Sequence, residues 1–276
     1  VNYNSAEYIN KLYKSLDYFR DIIKEIIIID NKSTSTNNIK IEPSIKLIKN
    51  NQNYGFAKAV NQGIKLSKSK FILLLNPDTY FVDNSVKKMF KYIKNNKKIG
   101  AIGGKIISQK NNNLLFTATS KPNFLTALFE FTNLKRIFQD NYFSKSFWLE
   151  SKCNITKITE VESLCGAFIL FKKSLKNKLN LFDERYFLYI EDVDFGIKIN
   201  NLGYKVVFYP YSKIVHYGGA SNNSKYGILL KYWYDSRKKF FFKHLPFYSG
   251  IILYIIFTIE QFTLSLYHQL KNTPNE

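Results

Sequence analysis

The chain has 276 residues, of which 45% are hydrophobic and 17% aromatic, enough to bury a sizeable core and too apolar for a wholly disordered protein. Its formal charge is +20, from 41 Lys and Arg against 21 Asp and Glu. That balance suits polyanionic or phosphorylated partners or an anionic membrane surface, and it is equally the product of a composition rich in Lys, Asn and Ile.

Val1 reads as the tail of a first strand, and no apolar leader of the signal-peptide type is expected. Ile26 to Ile29 ends at Asp30, Ile45 to Ile48 precedes the polar loop Lys49–Tyr54, and Phe71 to Leu75 ends at Asn76. Such continuous apolar runs between polar turns predict parallel strands buried on both faces. Glu7 to Phe19 and Phe56 to Ser67 have helical spacing, which gives a β-α-β-β-α-β order and an α/β fold with a Rossmann-like, mostly parallel sheet. Ser108 to Thr159 is polar, then aromatic and basic, without clean periodicity. It reads as a long, partly mobile excursion able to close over a site, or as a plain insertion. Val161 to Phe171 is a strand interrupted by Cys165-Gly166-Ala167. A helix opening near Glu191 stops at Gly203, and strands follow at Lys205–Tyr209 and Lys213–Val215. Past Ser224 the pattern is helical, which divides the chain into an α/β domain, 1–223, and a C-terminal helical segment, 224–276.

In an open α/β sheet, ligands bind outside the carboxyl ends of the strands. That rule selects Asn4, Asp30-Asn31, Asn53-Tyr54-Gly55 and Asn76-Pro77-Asp78, all small, polar or acidic, as one converging rim. A carboxylate at a strand end, as at Asp78, suits a hard divalent cation that bridges a diphosphate, although Asn-Pro-Asp is also good turn chemistry. A second acidic group, Glu191, Asp192 and Asp194, stands at a helix start, where the macrodipole favours negative charge whatever the function. A carboxylate there can also take a proton from an acceptor hydroxyl, with Phe187 and Tyr189 as a platform for an apolar sugar face. His216, between a strand end and Tyr217-Gly218-Gly219, is either a structural histidine or a partner for Asp78 at a metal. Cys153 and Cys165 form no disulfide framework and no metal-ligand spacing with the three histidines, so a reducing compartment is expected.

Together these residues resemble family 2 glycosyltransferases of the GT-A fold, in particular a bacterial rhamnosyltransferase-like branch. The matching strings stand in order: VNYN, DNKS at Asp30–Ser33, NYGFAKAVNQG at Asn53–Gly63, NPD at Asn76–Asp78, CGAF at Cys165–Phe168, FDERYFLYIEDVDF at Phe182–Phe195 and HYGGAS at His216–Ser221. The resemblance implies a nucleoside-diphosphate sugar donor held by Asn4, Asp30, Asn31, Asn53, Gly55, Asn61, Asn76 and Asp78. It implies Asp192 as catalytic base, an acceptor near Gly166, Ala167, Tyr189 and Glu191, and a divalent metal (Mg2+ or Mn2+) on Asp78 and His216. Asn76 departs from the family's acidic residue and leaves one fewer charged metal ligand. The implied reaction is an inverting transfer, with rhamnose as the favoured sugar, to a saccharide or polyprenyl-linked acceptor during surface polysaccharide synthesis.

Ser249 to Tyr267 is nearly long enough to cross a bilayer, but Glu260 and Gln261 lie within it. With Arg237-Lys238-Lys239 and Lys243 upstream it reads as a helix lying on an anionic membrane, which places the protein in the cytoplasm at the inner face of the cell membrane. Three alternatives compete. A nucleotidyltransferase would show a Gly-rich phosphate loop, which is not seen. A sugar-nucleotide-binding scaffold without activity is compatible with Asn76. A nucleic-acid binder would carry a recognition module, whereas here Lys is spread over the helices, so nucleic acid is not an expected partner.

Overall fold

The computed structural model describes all residues except 35–38, 40–44, 116, 150–155, 219–225 and 273–276. Cys153 and the Gly219-Ala220-Ser221 part of the last matching string therefore lie outside the described residues. In chain order the elements are α1 (Ala6–Ser15), extended by a 3-10 turn to Ile22, then β1 (Ile26–Asp30), β2 (Ile45–Lys49), α2 (Phe56–Leu66), β3 (Phe71–Leu75), β4 (Thr79–Tyr80), α3 (Ser85–Asn95) and β5 (Ile99–Ser108). There follow β6 (Leu114–Leu115), β7 (Ala118–Thr119), α4 (Phe124–Phe131), α5 (Leu134–Ile137), α6 (Tyr142–Phe147), β8 (Thr159–Val161), β9 (Ser163–Leu164), β10 (Phe168–Lys172), α7 (Glu191–Asn201), β11 (Lys205–His216), α8 (Tyr226–His244) and α9 (Phe247–Asn272).

The apolar runs are strands, as expected. β1 and β2 pair in parallel, and Asn2 makes a parallel bridge to Asp30. The larger, seven-stranded sheet has the order β3-β10-β5-β11-β4, with β6 and β8 at its margins. Since β10 is antiparallel to both β3 and β5 while β11 is parallel to β5, strands β3, β5 and β11 run the same way, with β10 reversed between them. The stretches expected as two strands near 205–209 and 213–215 are one strand, β11, with a register shift between Phe208 and Lys213. Gly104 accommodates that irregularity. A Cβ there would stand 2.3 Å from the Ser212 carbonyl oxygen, so only glycine lets β5 approach it. One face of the sheet buries Ile64, Phe171, Phe182 and Phe195, and the other buries Phe81, Met89, Ile93 and Phe168. Helix α3 supplies Val86, Met89 and Ile93 to that second core. Their i, i+3, i+7 spacing is the helical signal in this stretch.

The 108–159 excursion differs from a structureless loop. Helices α4 and α6 bury Ala127, Phe131 and Phe147 in a third core shared with Tyr234, Phe240 and Phe241 of α8, Leu253 and Phe257 of α9, and Ile190, Val193 and Ile197 at the start of α7. Its helices have 8, 4 and 6 residues, too short to display a helical period. The same core carries the C-terminal helices onto the α/β domain. The basic residues read as membrane-facing are engaged within the protein: Lys238 donates to Gln261 at 2.7 Å, Lys239 to the Arg185 carbonyl at 2.9 Å, and Arg237 is 4% exposed. Glu260 faces inward too, accepting from the Asn133 N–H (2.8 Å) and the Tyr234 hydroxyl (3.1 Å).

Asp194, fully buried in the first turn of α7, ties α7 to the end of α8. It receives Lys243 at 2.6 Å, His244 at 2.7 Å and Lys198 at 3.3 Å. Burial pushes its carboxyl up, but hydrogen bonds from His244 and Lys243 outweigh that and hold it below the ordinary range. A depressed folded pKa contributes stability above the unfolded value, lost as pH falls through the folded one. Asp194→Asn is expected to lower stability at pH 7 by about 3 kcal/mol, the scale for breaking a buried ion pair. In denaturant titrations the gap from wild type should close as the pH falls below about 3.9.

Candidate active site

The acidic and amide side chains at the strand ends are held by hydrogen bonds, and backbone bonds tie their clusters to one another. After β1, the Asp30 carboxylate, 2% exposed, accepts from Asn2 Nδ2 (2.6 Å), Ser33 Oγ (2.6 Å) and the Ser33 N–H (3.1 Å). Asn4, in the left-handed region at φ 55°, accepts from the Thr34 N–H at 2.8 Å and donates its own N–H to Ser33 Oγ at 2.8 Å. The buried Asn31 amide donates to Asn53 Oδ1 (2.9 Å) and the Gly55 carbonyl (3.0 Å), and accepts from Asn50 Nδ2 (3.0 Å). Five expected donor-binding residues, Asn4, Asp30, Asn31, Asn53 and Gly55, thus form one ordered cluster.

Gly55 opens α2 at φ 83°, and a Cβ there would stand 2.5 Å from the Phe187 carbonyl oxygen. That same oxygen accepts from the Phe56 N–H at 2.7 Å, so the cluster touches the loop that carries the acidic group. Asn61 acts on that loop as well: its amide donates to the Phe182 carbonyl at 2.8 Å and accepts from the Phe182 N–H at 3.1 Å. The structure places Asn61 as a brace between α2 and this loop, with its amide engaged on both sides.

The loop ends in two successive non-glycine residues in the left-handed region, Tyr189 at φ 72° and Ile190 at φ 66°, each costing about 1–3 kcal/mol. They aim the first residues of α7 inward. The Asp192 carboxylate accepts from the Gly166 N–H at 2.8 Å and from the Val193 N–H at 2.8 Å. The neighbouring Ala167 carbonyl accepts from the Asn76 N–H at 3.2 Å. From Asn76 the turn leads to Asp78, 6% exposed, whose carboxylate stands 3.1 Å from His216 Nε2. The pairing of β4 with β11, which sets His216 opposite Thr79, fixes that meeting. Asp192 and Asp78 thus lie on either side of the Gly166-Ala167 turn. Burial pushes the Cys165 thiol up to about 12, with Asp192, Glu191 and Asp78 adding to the rise.

Burial also pushes the Asp192 carboxyl up against the lowering by its two backbone N–H donors. Glu191, 6% exposed, is raised by burial and then by Asp192. Tyr189 meets Trp233 of α8 edge-on at 5.5 Å, and Phe187 stacks on Tyr232 at 4.1 Å. These aromatic faces are engaged with α8. Sequence reasoning missed the contribution of α8 to the site, although Trp233, Arg237 and Phe240 at helical spacing carry a signal of one buried face.

No group of three or more His, Cys, Asp and Glu side chains converges as a metal site among the described residues. Asp78 and His216 do fit a shared cation. They are hard and borderline donors at 3.1 Å, about the separation of two neighbouring ligands on one ion with bonds near 2.1 Å.

The fold has GT-A architecture. A structure of GalNAc-T7 with UDP, GalNAc and Mn2+ superposes with a TM-score of 0.57 at 15% identity, covering 86% of this chain and 49% of that one. A mannosyltransferase from Pyrobaculum calidifontis, in complex with GDP-Man and Mn2+, does so at 0.55 and 15% identity, over 100% and 74%. The family model described as Glycosyl transferase family 2 matches residues 1–175, and the chain belongs to that family. Among curated relatives, the N-acetylglucosaminyl-diphospho-decaprenol L-rhamnosyltransferase of Mycobacterium tuberculosis is 23% identical over 235 residues, 80% of this chain and 75% of its own. A poly-beta-1,6-N-acetyl-D-glucosamine synthase of Staphylococcus aureus is 25% identical over 214 residues, 75% of this chain and 46% of its own.

Gly55→Ala tests the junction between the two halves of the site. With a φ that disfavours a side chain and backbone in the way, it is expected to cost about 2–3 kcal/mol, read as a lower denaturation midpoint. An unchanged midpoint would mean that the Gly55–Phe187 approach carries no weight.

Proposed function

We propose that this glycosyltransferase binds a nucleoside-diphosphate sugar along Asp30, Asn31 and Asn53–Gly55 and transfers the sugar with inversion to a hydroxyl held beside Asp192. The observation that carries this reading is the Asp192 carboxylate itself. It is oriented by two backbone N–H groups, raised by burial, and set across the Gly166-Ala167 turn from Asp78 and His216. A fixed base whose pKa is raised towards the working pH is what proton removal from an alcohol requires. In the proposed step the acceptor oxygen bonds to the anomeric carbon as the bond from that carbon to the diphosphate oxygen breaks. The acceptor proton passes to Asp192, and the negative charge leaves on the nucleoside diphosphate. Asp78 and His216 would hold Mg2+ or Mn2+, which when bound supplies positive charge to the departing diphosphate.

The similarity to the Mycobacterium tuberculosis enzyme, over 75% of that protein's length, supports an L-rhamnosyl donor and a polyprenyl-diphosphate-linked saccharide acceptor in surface polysaccharide assembly. A lipid-linked acceptor agrees with α9. Tyr248, Ile252, Ile255, Ile259, Phe262 and Leu266 are 79, 48, 52, 58, 68 and 45% exposed, and their spacing of four and three residues makes one continuous apolar stripe. Phe247–Gln269 is long and apolar enough to cross a membrane by length and composition. Because Glu260 and Gln261 turn inward, that stripe carries no charge, and we propose that it lies in the surface of the cytoplasmic leaflet.

Two outcomes follow. Asp192→Asn should retain donor binding and lose transfer by about 10²–10⁴-fold, measured by product formation from dTDP-rhamnose and a polyprenyl-diphosphate saccharide. Full transfer by that variant would remove Asp192 from the role. The protein should co-sediment with vesicles of anionic phospholipid, and Ile255→Glu with Phe262→Glu should release it at constant donor affinity. Wild-type protein left in the supernatant would contradict the docking of α9.

A further inference from the structure

Helix α8 lies along the whole acidic loop and holds it from one side. Tyr232 stacks on Phe187, Trp233 meets Tyr189, Ser236 Oγ donates to the Leu188 carbonyl at 2.7 Å, and Lys239 donates to the Arg185 carbonyl at 2.9 Å. Arg237 stands in the middle of this row. It is 4% exposed, with its guanidinium 3.0 Å above the Trp233 ring centroid and 4.8 Å from that of Phe131, and its Nη1 donates to the Trp233 carbonyl at 3.1 Å. Its Nε and the Glu191 Oε2 are both buried without a hydrogen-bond partner among the described residues. A cation is thus buried among α8 residues that hold the loop leading into α7, with hydrogen-bonding capacity to spare.

The charged and titratable groups whose charges act on it are Tyr189 and Glu191 from the loop and helix start, Asp192 of α7, and Glu130 of α4. On the far side of Asp192 lie the Cys165 thiol and the N–H groups of Gly166 and Val193. Two consecutive carboxyl groups in one buried turn repel each other when both are ionised, and a nearby positive charge relieves that repulsion.

We propose that Arg237 is a positioning residue for the acid pair: seated by Trp233, it supplies from α8 the buried positive charge that keeps Asp192 ionised beside Glu191. The proposal rests on Asp192 being the base and adds that the C-terminal helical segment sets the protonation state of that base. Burial lowers the guanidinium itself to about 9, opposed by Tyr189, Glu191, Asp192 and Glu130, so it remains charged at neutral pH.

The test is a carboxyl 13C NMR titration of the full chain labelled in Asp, with the Asp192 signal assigned by its loss in Asp192→Asn. In Arg237→Met the Asp192 midpoint should rise by about one pH unit or more, which well below the midpoint is about a tenfold fall in ionised Asp192. Arg237→Lys should stay close to wild type. An Asp192 midpoint unmoved in Arg237→Met would overturn the proposal. Should that variant not fold, Glu191→Gln/Arg237→Met removes both buried charges together, and its Asp192 midpoint is compared with that of Glu191→Gln alone. Equal midpoints there overturn the proposal as well. The titration uses no donor or acceptor, so its failure is distinct from a failure of Asp192 as base, which is read from transfer by Asp192→Asn.

Discussion

Asp192 is held by backbone N–H groups from two directions, Gly166 from the turn before β10 and Val193 from its own helix, and the arrangement of the site depends on that pair of bonds. They require α7 to begin where it does, and α7 begins there because Tyr189 and Ile190 adopt a conformation that non-glycine residues resist. Packing supplies the compensation. Ile190 and Val193 sink into the aromatic core built by α4, α6, α8 and α9, and Ser236 fixes the Leu188 carbonyl. The strain is therefore borne by elements far along the chain from the residues it positions.

This dependence changes how the chain divides. A boundary near residue 223 separates an α/β part from a helical part by pattern, yet the helical part braces the acidic loop, and α4 and α6 pack in the core between them. Near the end of α8, Lys243 pairs with Asp194 inside α7 and His244 lies within hydrogen-bond distance of the same carboxylate. The excess of basic residues in this region thus serves internal ion pairs first. The stripe that α9 exposes is apolar, and the +20 charge does not itself describe the surface that α9 presents.

Much of the fold was legible because its signals are local. Ile26–Ile29 and Phe71–Leu75 are apolar runs of strand length, Gly203 lies at φ 77° just past α7, and the acids after strand ends follow the topology of an α/β sheet. The pairing of Asp78 with His216 was legible as a candidate for the same reason, since both stand at strand ends. The rest depends on distant contacts. Asn61, expected beside a nucleotide, also bonds the Phe182 backbone, a contact between residues 121 apart in the chain that no local pattern announces. Arg237 stands in a run of three basic residues, and the packing of Trp233 and Phe131 around its guanidinium is what makes it a buried cation. The 108–159 segment hid its helices because each is too short to repeat its period.

At the centre of the account is one cleft in which a nucleoside diphosphate reaches from the Asp30–Asn31–Gly55 cluster to Asp78 and His216, with Asp192 free on the opposite side of the Gly166-Ala167 turn. A crystal structure of the protein with Mn2+ and dTDP tests this most directly. The expected result is the nucleoside against Asp30 and Asn31, the diphosphate with its metal at Asp78 and His216, and Asp192 clear of the nucleotide. A nucleotide bound elsewhere, or a diphosphate seated on Asp192, would contradict it.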